Sequence, residues 1–118
     1  MRKTLFPLAL CGALLLTACW QKDVGRSFYP SGEVRTEATV RNGLLDGPST
    51  MFYESGAKMS EANYRAGVVH GKTTSFYESG AKKAEAEYLN GVLHGTSISW
   101  REDGAQQSSS HFKQGALQ

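Results

Sequence analysis

The stretch that decides the fold is Phe76-Tyr77-Glu78-Ser79-Gly80, because it recurs at a fixed interval. The same residues stand 24 positions earlier as Phe52-Tyr53-Glu54-Ser55-Gly56, and 24 before that as Phe28-Tyr29-Pro30-Ser31-Gly32. A divergent fourth copy is Trp100-Arg101-Glu102-Asp103-Gly104. Equal steps without an insertion indicate an array of repeated structural units.

Further residue types keep the same period. The phased positions are the signature glycines Gly32, Gly56, Gly80 and Gly104; the glycines Gly43, Gly67, Gly91 and Gly115; the glycines Gly47, Gly71 and Gly95; the acids Glu37, Glu61 and Glu85; and the column Val40, Tyr64, Tyr88 and Phe112. We assign the glycines, the first aromatic of each signature (Phe28, Phe52, Phe76 and Trp100) and the tyrosines Tyr64 and Tyr88 to the structural repeat.

Each unit has room for two strands and two turns. The Ser-Gly signatures are turn sequences, and Asn42-Gly43 and Asn90-Gly91 carry the strongest short hairpin signal. Residues 82–88 have a helical composition, but the segments in the same phase fit a strand better. The sequence therefore predicts an all-β fold, a single-sheet antiparallel meander of about 3.5 repeats and seven or eight strands, without a helix.

Neighbouring aromatics in each signature should point to opposite faces of the sheet, because side chains alternate along a strand. One row would hold Phe52 and Phe76, and the other would hold Tyr53 and Tyr77. We expect one row to fill gaps between units together with the column that contains Tyr64. The tyrosines would be exposed contact residues, although stacking within the sheet would also explain the period.

The first eighteen residues have the features of an export signal. Arg2 and Lys3 precede the apolar run 5–16, which is too short to span a membrane. Leu16-Thr17-Ala18-Cys19 follows and resembles the lipobox of bacterial lipoproteins. The resemblance implies a lipid on Cys19 and cleavage before it; the alternative is an ordinary signal peptide cut near Ala18. The predicted organisation is a leader at 1–18, a lipidated tether at 19–25 and the array at 26–118.

Loss of the leader changes what the composition implies. The 118 residues include 13 basic and 11 acidic side chains, and removal of Arg2 and Lys3 leaves 11 of each. A net charge of zero argues against a nucleic-acid partner. Cys11 leaves with the leader and Cys19 becomes the anchor, so no thiol remains for a disulfide or a zinc site. By the lipoprotein sorting rule, Trp20 after the anchor favours the periplasmic face of the outer membrane.

The phased residues resemble the MORN repeat variant family, which includes YwqK-type antitoxins. The shared pattern is aromatic-aromatic-x-Ser-Gly, then a glutamate and a tyrosine, then Asn-Gly and His-Gly, and the copy from Phe76 to Gly95 fits throughout. The resemblance covers roughly residues 26–115. It implies a β-meander with interaction roles in toxin neutralisation, scaffolding or lipid head-group contact, and no catalytic residues. Departures from the pattern occur at Val40, Asp46, Arg101 and Ser109.

Two residue series could suggest chemistry at first sight. His70 and His94 lie one repeat apart, which is ~10 Å across a sheet and too far to share a metal ion. Asp46 occupies the same slot, so we interpret these residues as turn residues. The series containing Glu61 and Glu85 has the same spacing, well beyond the ~5 Å of a retaining glycosidase pair. We interpret it as an exposed row paired with Lys or Arg on the next strand.

The sequence thus favours a non-enzymatic protein without a metal or cofactor, since it also lacks phosphate-binding and nucleophile motifs. We expect a lipid-anchored envelope protein that contacts the membrane through Cys19 and binds a protein, either a toxin or an envelope component. The predicted contact residues are Tyr53, Glu54, Tyr77 and Glu78. The alternative is a structural scaffold of the envelope or a MORN protein that lies on the membrane surface.

Overall fold

The computed structural model describes residues 22–118, so the predicted leader, Cys19 and Trp20 lie outside the described residues. These residues form one antiparallel sheet of ten strands and contain no helix, hence none that could cross a bilayer. The predicted all-β meander is confirmed. The strands are β1 (Asp23–Phe28), β2 (Val34–Arg41), β3 (Leu44–Phe52), β4 (Lys58–Arg65), β5 (Val68–Val69), β6 (Gly71–Phe76), β7 (Lys82–Leu89), β8 (Val92–Trp100), β9 (Gln106–Lys113) and β10 (Ala116–Leu117).

The strands lie side by side in chain order, from β1 to β10, and β5 pairs with β4 next to β6. The count exceeds the seven or eight expected because the chain is interrupted at His70, which separates β5 from β6, and because the two-residue strand β10 follows β9. The first strand begins at Asp23, inside the predicted tether at 19–25.

The signature turns all lie along one side of the sheet, which we call the signature rim. In the second copy, the Tyr53 amide donates to the Ala57 carbonyl at 2.8 Å, and the Gly56 amide donates to the Tyr53 carbonyl at 2.9 Å. Gly56 has φ of 90°, a conformation that costs residues with a Cβ free energy. The three other copies have the same pair of bonds, including the divergent turn from Arg101 to Gly104.

The opposite side of the sheet carries the two-residue turns, and we call it the Asn-Gly rim. Asn90 and Gly91 have φ of 49° and 82°, so both central residues adopt the left-handed conformation of a type I′ turn. The Asn-Gly hairpins predicted from the sequence are therefore confirmed. Ala66 and Gln114 take the same conformation, with φ of 48° and 51°, although neither residue type favours it.

The sheet is a single layer and has almost no buried core. Among residues 22–118, Ala38 is the one apolar residue classed as buried, at 8% exposure. Cross-strand pairs define two faces. The small-residue face contains Ala38, Ala62 and Ala86, and the glutamate face contains Glu37, Glu61 and Glu85. Because both faces meet solvent, hydrophobic burial contributes little, and hydrogen bonds must carry much of the organisation.

We predict that Ala66→Asn stabilises the fold. Residue 66 has φ of 48°, and asparagine tolerates the left-handed region better than alanine. The free energy of unfolding should rise by about 0.5–1 kcal/mol, measured by urea denaturation. Asn90→Ala is the matched reverse change and should lower it by a similar amount. Equal stability of both variants and the parent chain would contradict this account of the turn.

Candidate interaction surface

A ladder of tyrosine hydroxyl groups joins successive units at the signature rim. Each hydroxyl donates to the main-chain carbonyl of the aromatic residue that precedes the next signature turn. The three bonds, which we call the tyrosine clasps, run from Tyr29 to Phe52 at 2.7 Å, from Tyr53 to Phe76 at 2.8 Å and from Tyr77 to Trp100 at 2.9 Å. The series stops at the fourth signature, where Arg101 replaces the tyrosine.

The clasps correct the expectation that the tyrosines are fully exposed, and their role as contact residues stays a prediction. Tyr53 and Tyr77 are half-buried and their hydroxyl groups are bonded, so their first role is to join units. Glu54 and Glu78, the other two predicted contact residues, lie exposed in the turns. A partner at this rim would therefore meet carboxylates and the remaining exposed parts of the rings.

The aromatic rows lie on opposite faces, as alternation along a strand predicts. The ammonium group of Lys83 stands 5.6 Å from the ring centre of Tyr77, whereas that of Lys82 stands 5.8 Å from the ring centre of Trp100. Phe52 and Phe76 are half-buried like the tyrosines, so neither row forms a closed core. The first aromatic row and the column containing Tyr64 are on different faces and cannot fill the same gaps.

A second set of unit-to-unit bonds lies at the Asn-Gly rim. The Gly91 amide donates to the Val69 carbonyl at 2.8 Å, and the Asn90 amide donates to Nδ1 of His70 at 3.2 Å. The same two bonds recur in the neighbouring units, where the side-chain acceptors are Asp46 Oδ1 and His94 Nδ1. We call these side-chain bonds the turn caps.

The turn caps explain why histidine and aspartate share one slot of the repeat. Both side chains offer an acceptor to the next unit's turn, and an unprotonated imidazole nitrogen serves as well as a carboxylate oxygen. His70 and His94 are therefore not turn residues themselves, as the sequence interpretation had them: His70 lies between β5 and β6, His94 lies within β8, and each accepts a bond from the turn of the next unit. Within residues 22–118, no group of three or more potential metal-binding side chains comes together.

Glycine at the tip of each turn also leaves space for the preceding unit. A Cβ built on Gly91 would stand 3.1 Å from Cγ1 of Val68, and one on Gly115 would stand 3.4 Å from Cγ1 of Val92. Leu44, Val68 and Val92 thus form an aliphatic row beside the turns, at 50%, 44% and 44% exposure. The row packs from unit to unit and still presents apolar surface to solvent.

Each glutamate of the glutamate face is ion-paired with a nearby base. The bases of Glu37 and Glu85 include one on a neighbouring strand, as predicted, whereas the base of Glu61 lies on its own strand. Arg26 contacts Glu37 at 2.7 Å, and Lys58 contacts Glu61. Glu85 is the least exposed of the three, and it contacts Lys72 at 3.0 Å and Lys82 at 3.1 Å. A register shift after Ser75 places Lys82 on the same face as Glu85, three residues away.

The two lysines shift the protonation equilibrium of the Glu85 carboxylate. The hydrogen bond from Lys72, followed by that from Lys82, lowers the pKa of Glu85 below its ordinary value of 4.5. The same contact with Glu85 raises the pKa of Lys72 above 10.5. These opposite shifts are those of an ion pair, in which each partner stabilises the charged form of the other.

The small-residue face has a shallow trough at its centre, which is not among the sites predicted from the sequence. Its cavity volume is about 310 Å³. Seven of the ten lining residues belong to this face: Ser60, Ala62, Thr73, Ser75, Ala84, Ala86 and Tyr88. The available signal was the phased series of Ala, Ser and Thr opposite the glutamates, since short side chains in neighbouring strands leave a depression.

Comparisons with known proteins agree with the repeat assignment at the centre of the chain. The MORN repeat variant family matches residues 45–66 and 69–90, two segments that start 24 residues apart. The chain is thus similar to this family over its two central units. The searched set of curated proteins contains no match.

One solved structure with partial similarity comes from Streptococcus pneumoniae and is described as the crystal structure of accessory secretory protein 1, 2 and 3. The sequence identity is 15% and the TM-score is 0.46. The alignment covers 81% of this chain and 18% of that chain, so this protein spans less than a fifth of the other's length.

We predict that removing one clasp hydroxyl weakens the sheet without removing its ring. Tyr53→Phe and Tyr77→Phe should each lower the free energy of unfolding by about 0.5–1.5 kcal/mol, because the carbonyl of the next unit loses its donor. Tyr88→Phe, on the same face but away from the signature rim, is the matched control. Urea denaturation provides the measurement, and equal losses in all three variants would exclude a specific role for the clasps.

The Glu85 ion pairs predict a defined dependence of stability on pH. Since the folded-state pKa of Glu85 is lowered, its contribution is present above pH 4.5 and is lost as pH falls through the folded-state value. Since the pKa of Lys72 is raised, that contribution is present below pH 10.5 and disappears at higher pH. Between these limits, Glu85→Gln should lower the free energy of unfolding only modestly, because solvent screens ion pairs with exposed lysines.

The measurement is the stability difference between the parent chain and Glu85→Gln, from urea denaturation at pH 7 and at pH 3. The difference should shrink at pH 3. Glu54→Gln removes a carboxylate from an exposed turn and controls for the change in net charge. A difference that is the same at both pH values would mean that the ion pairs contribute nothing to folding.

Proposed function

We propose that this chain is a non-enzymatic, lipid-anchored protein of the bacterial cell envelope whose repeat sheet binds another protein. The partner we favour is a toxin or effector, which the sheet would neutralise by covering its surface. The observation that supports this most strongly is the architecture. A single-layer sheet with nearly all side chains at least partly exposed offers broad repeated surfaces and few enclosed sites for chemistry.

Several surfaces are available for such contact. The signature rim presents Glu54 and Glu78, the small-residue face has the central trough, and the Asn-Gly rim carries the aliphatic row. Exposed apolar side chains beside polar ones are typical of protein contact surfaces. The ion pairs of the glutamate face neutralise much of its charge, which argues against simple electrostatic attachment to anionic lipid.

A structural scaffold of the envelope is the second candidate, supported by the extended repeat form of the sheet. A scaffold or a MORN protein lying on the membrane would organise other components without neutralising any of them. Co-expression with the product of a neighbouring effector gene separates the candidates. Restored growth supports neutralisation, whereas unchanged toxicity together with altered envelope organisation supports the scaffold.

We predict that Cys19 is the lipid attachment site. Cys19→Ser should leave an uncleaved precursor and remove acyl chains from the mature N-terminus, because the thioether bond requires the thiol. Mass spectrometry of the membrane fraction measures both effects. Cys11→Ser, within the leader, is the matched control and should be processed normally. Normal cleavage and membrane attachment of Cys19→Ser would exclude the lipoprotein assignment.

We predict that charge reversal in the two central signature turns weakens partner binding. Glu54→Arg combined with Glu78→Arg should raise the dissociation constant at least tenfold, which corresponds to about 1.4 kcal/mol. Both side chains are exposed, so the fold should be retained. Glu102→Arg makes the same change in the fourth turn and should bind normally, as titration calorimetry would test. Equal weakening by Glu102→Arg would mean that the turns attract the partner only through net charge.

A further inference from the structure

The strands at the two ends of the sheet, β9 and β1, correspond in the repeat to β4 and β6, which pair with each other inside the sheet. Strand β9 with β10 has the same pairing as β4 with β5: Phe112 pairs with Leu117 as Tyr64 pairs with Val69. Along β4, the next strand on that side is β6, with Ser60 opposite Ser75. Along β9, the corresponding place holds no strand among residues 22–118. The outer side of β9 therefore presents main-chain groups in the arrangement that β4 uses to bind β6.

The strand that corresponds to β6 in the repeat, and could therefore occupy the place beside β9, is β1. Gly71–Phe76 stands two repeats of 24 residues after Asp23–Phe28, and both strands end in Ser-Phe before a signature turn. Among residues 22–118, β1 pairs with β2 alone. Its apolar side chains Val24 and Phe28 are 52% and 56% exposed.

We propose that β9 of one molecule pairs antiparallel with β1 of a second copy, which extends the sheet head to tail. The register follows from the β4–β6 pair, in which Ser60 lies opposite Ser75 and Glu61 opposite Thr74. The equivalent residues lie two repeats later in β9 and two repeats earlier in β1. Ser108 therefore lies opposite the second copy's Ser27, and Ser109 lies opposite its Arg26. Neither pair brings like charges together. This contact is independent of the proposed partner-binding function.

The main-chain groups available in β9 agree with this register. The His111 carbonyl accepts a hydrogen bond from the Gln118 amide, so it points away from β8. Because alternate residues of an antiparallel strand point their groups to the same side, Ser109 also presents its amide and carbonyl outward. Ser108 and Ser110 then bond towards β8, and the outer side of the strand stays available.

The hydrogen bonds that join units at the two rims could also form between the two copies. In later units, the turn glycine amide donates to the preceding unit, as Gly91 does to Val69. The amide of Gly43 in the second copy would meet the Leu117 carbonyl in the same way. At the signature rim, the carbonyl of the second copy's Phe28 would face Arg101, whose guanidinium group can donate where the clasps use a hydroxyl. The contact is heterologous, so repetition gives an open filament, or a ring where the rotation between copies closes.

Cross-linking tests the register. Ser27→Cys and Ser108→Cys are combined in the full chain, which is expressed in bacterial cells and oxidised. Seven strand spacings, ~34 Å, separate β1 from β9 in one molecule, so a 27–108 disulfide must join two copies. Ser27→Cys with Ser110→Cys is the matched control, two residues out of register on the same face.

We expect a ladder of disulfide-linked oligomers, and at least tenfold more 27–108 linkage than 27–110 linkage by peptide mass spectrometry. Equal yields would indicate random collision and overturn the proposal. Predominant 27–27 or 108–108 linkage would indicate a symmetric dimer and would overturn it too. Absence of linkage at both pairs would show that the β9 edge is empty or holds another protein, which also contradicts self-association.

A second variant tests the main-chain bonds. Ser109→Pro removes an outward amide while the bonds from Ser108 and Ser110 to β8 remain, so the fold should persist. It should reduce the oligomer ladder at least tenfold, and Ser109→Ala, which keeps the amide, should not. Circular dichroism checks that both variants retain the sheet. A folded Ser109→Pro variant that cross-links like Ser109→Ala would overturn the proposed pairing.

Discussion

Hydrogen bonds that pass from one repeat to the next at the two rims keep the described sheet in register. A compact domain obtains this order from a buried core, but Ala38 is the one buried apolar residue here. The tyrosine clasps act at one rim, and the turn-glycine amides with their turn caps act at the other. Each unit is thus held at both strand ends by its neighbours. Ladder bonds between strands then form in one register, with the aromatic rows fixed on opposite faces.

The sequence predicts the elements that depend on local backbone chemistry. Asn90-Gly91 requires two left-handed residues in succession, and that requirement is visible in the residue types alone. The constant step between signatures gives the unit size and excludes a helix within each unit. The added strands β5 and β10 were not predicted, because a two-residue strand beside a turn has no pattern of its own.

The contacts between units could not be predicted in the same way. Tyr53 and the Phe76 carbonyl are 23 residues apart, and their meeting depends on the relative placement of two turns. The register shift that brings Lys82 to the face of Glu85 has no clear residue signature either. The repeat singles out Tyr53 and Tyr77 as recurring residues. Recurrence alone does not distinguish a tyrosine that contacts a partner from one that bonds within the sheet. For the histidine slot, the occurrence of Asp46 was a sufficient signal, since both residue types accept a hydrogen bond.

Amide hydrogen exchange tests the role of the rim bonds most directly. The amide protons of Asn90 and Gly91 lie in an exposed turn, yet they donate to His70 and Val69 of the preceding unit. We predict that both exchange slowly, like the strand amides. In His70→Ala, Asn90 should lose its protection, and His70→Asp should restore it because the aspartate reproduces the cap seen at Asp46. Exchange at the rate of an unstructured peptide in the parent chain, or equal protection in all three proteins, would contradict the account.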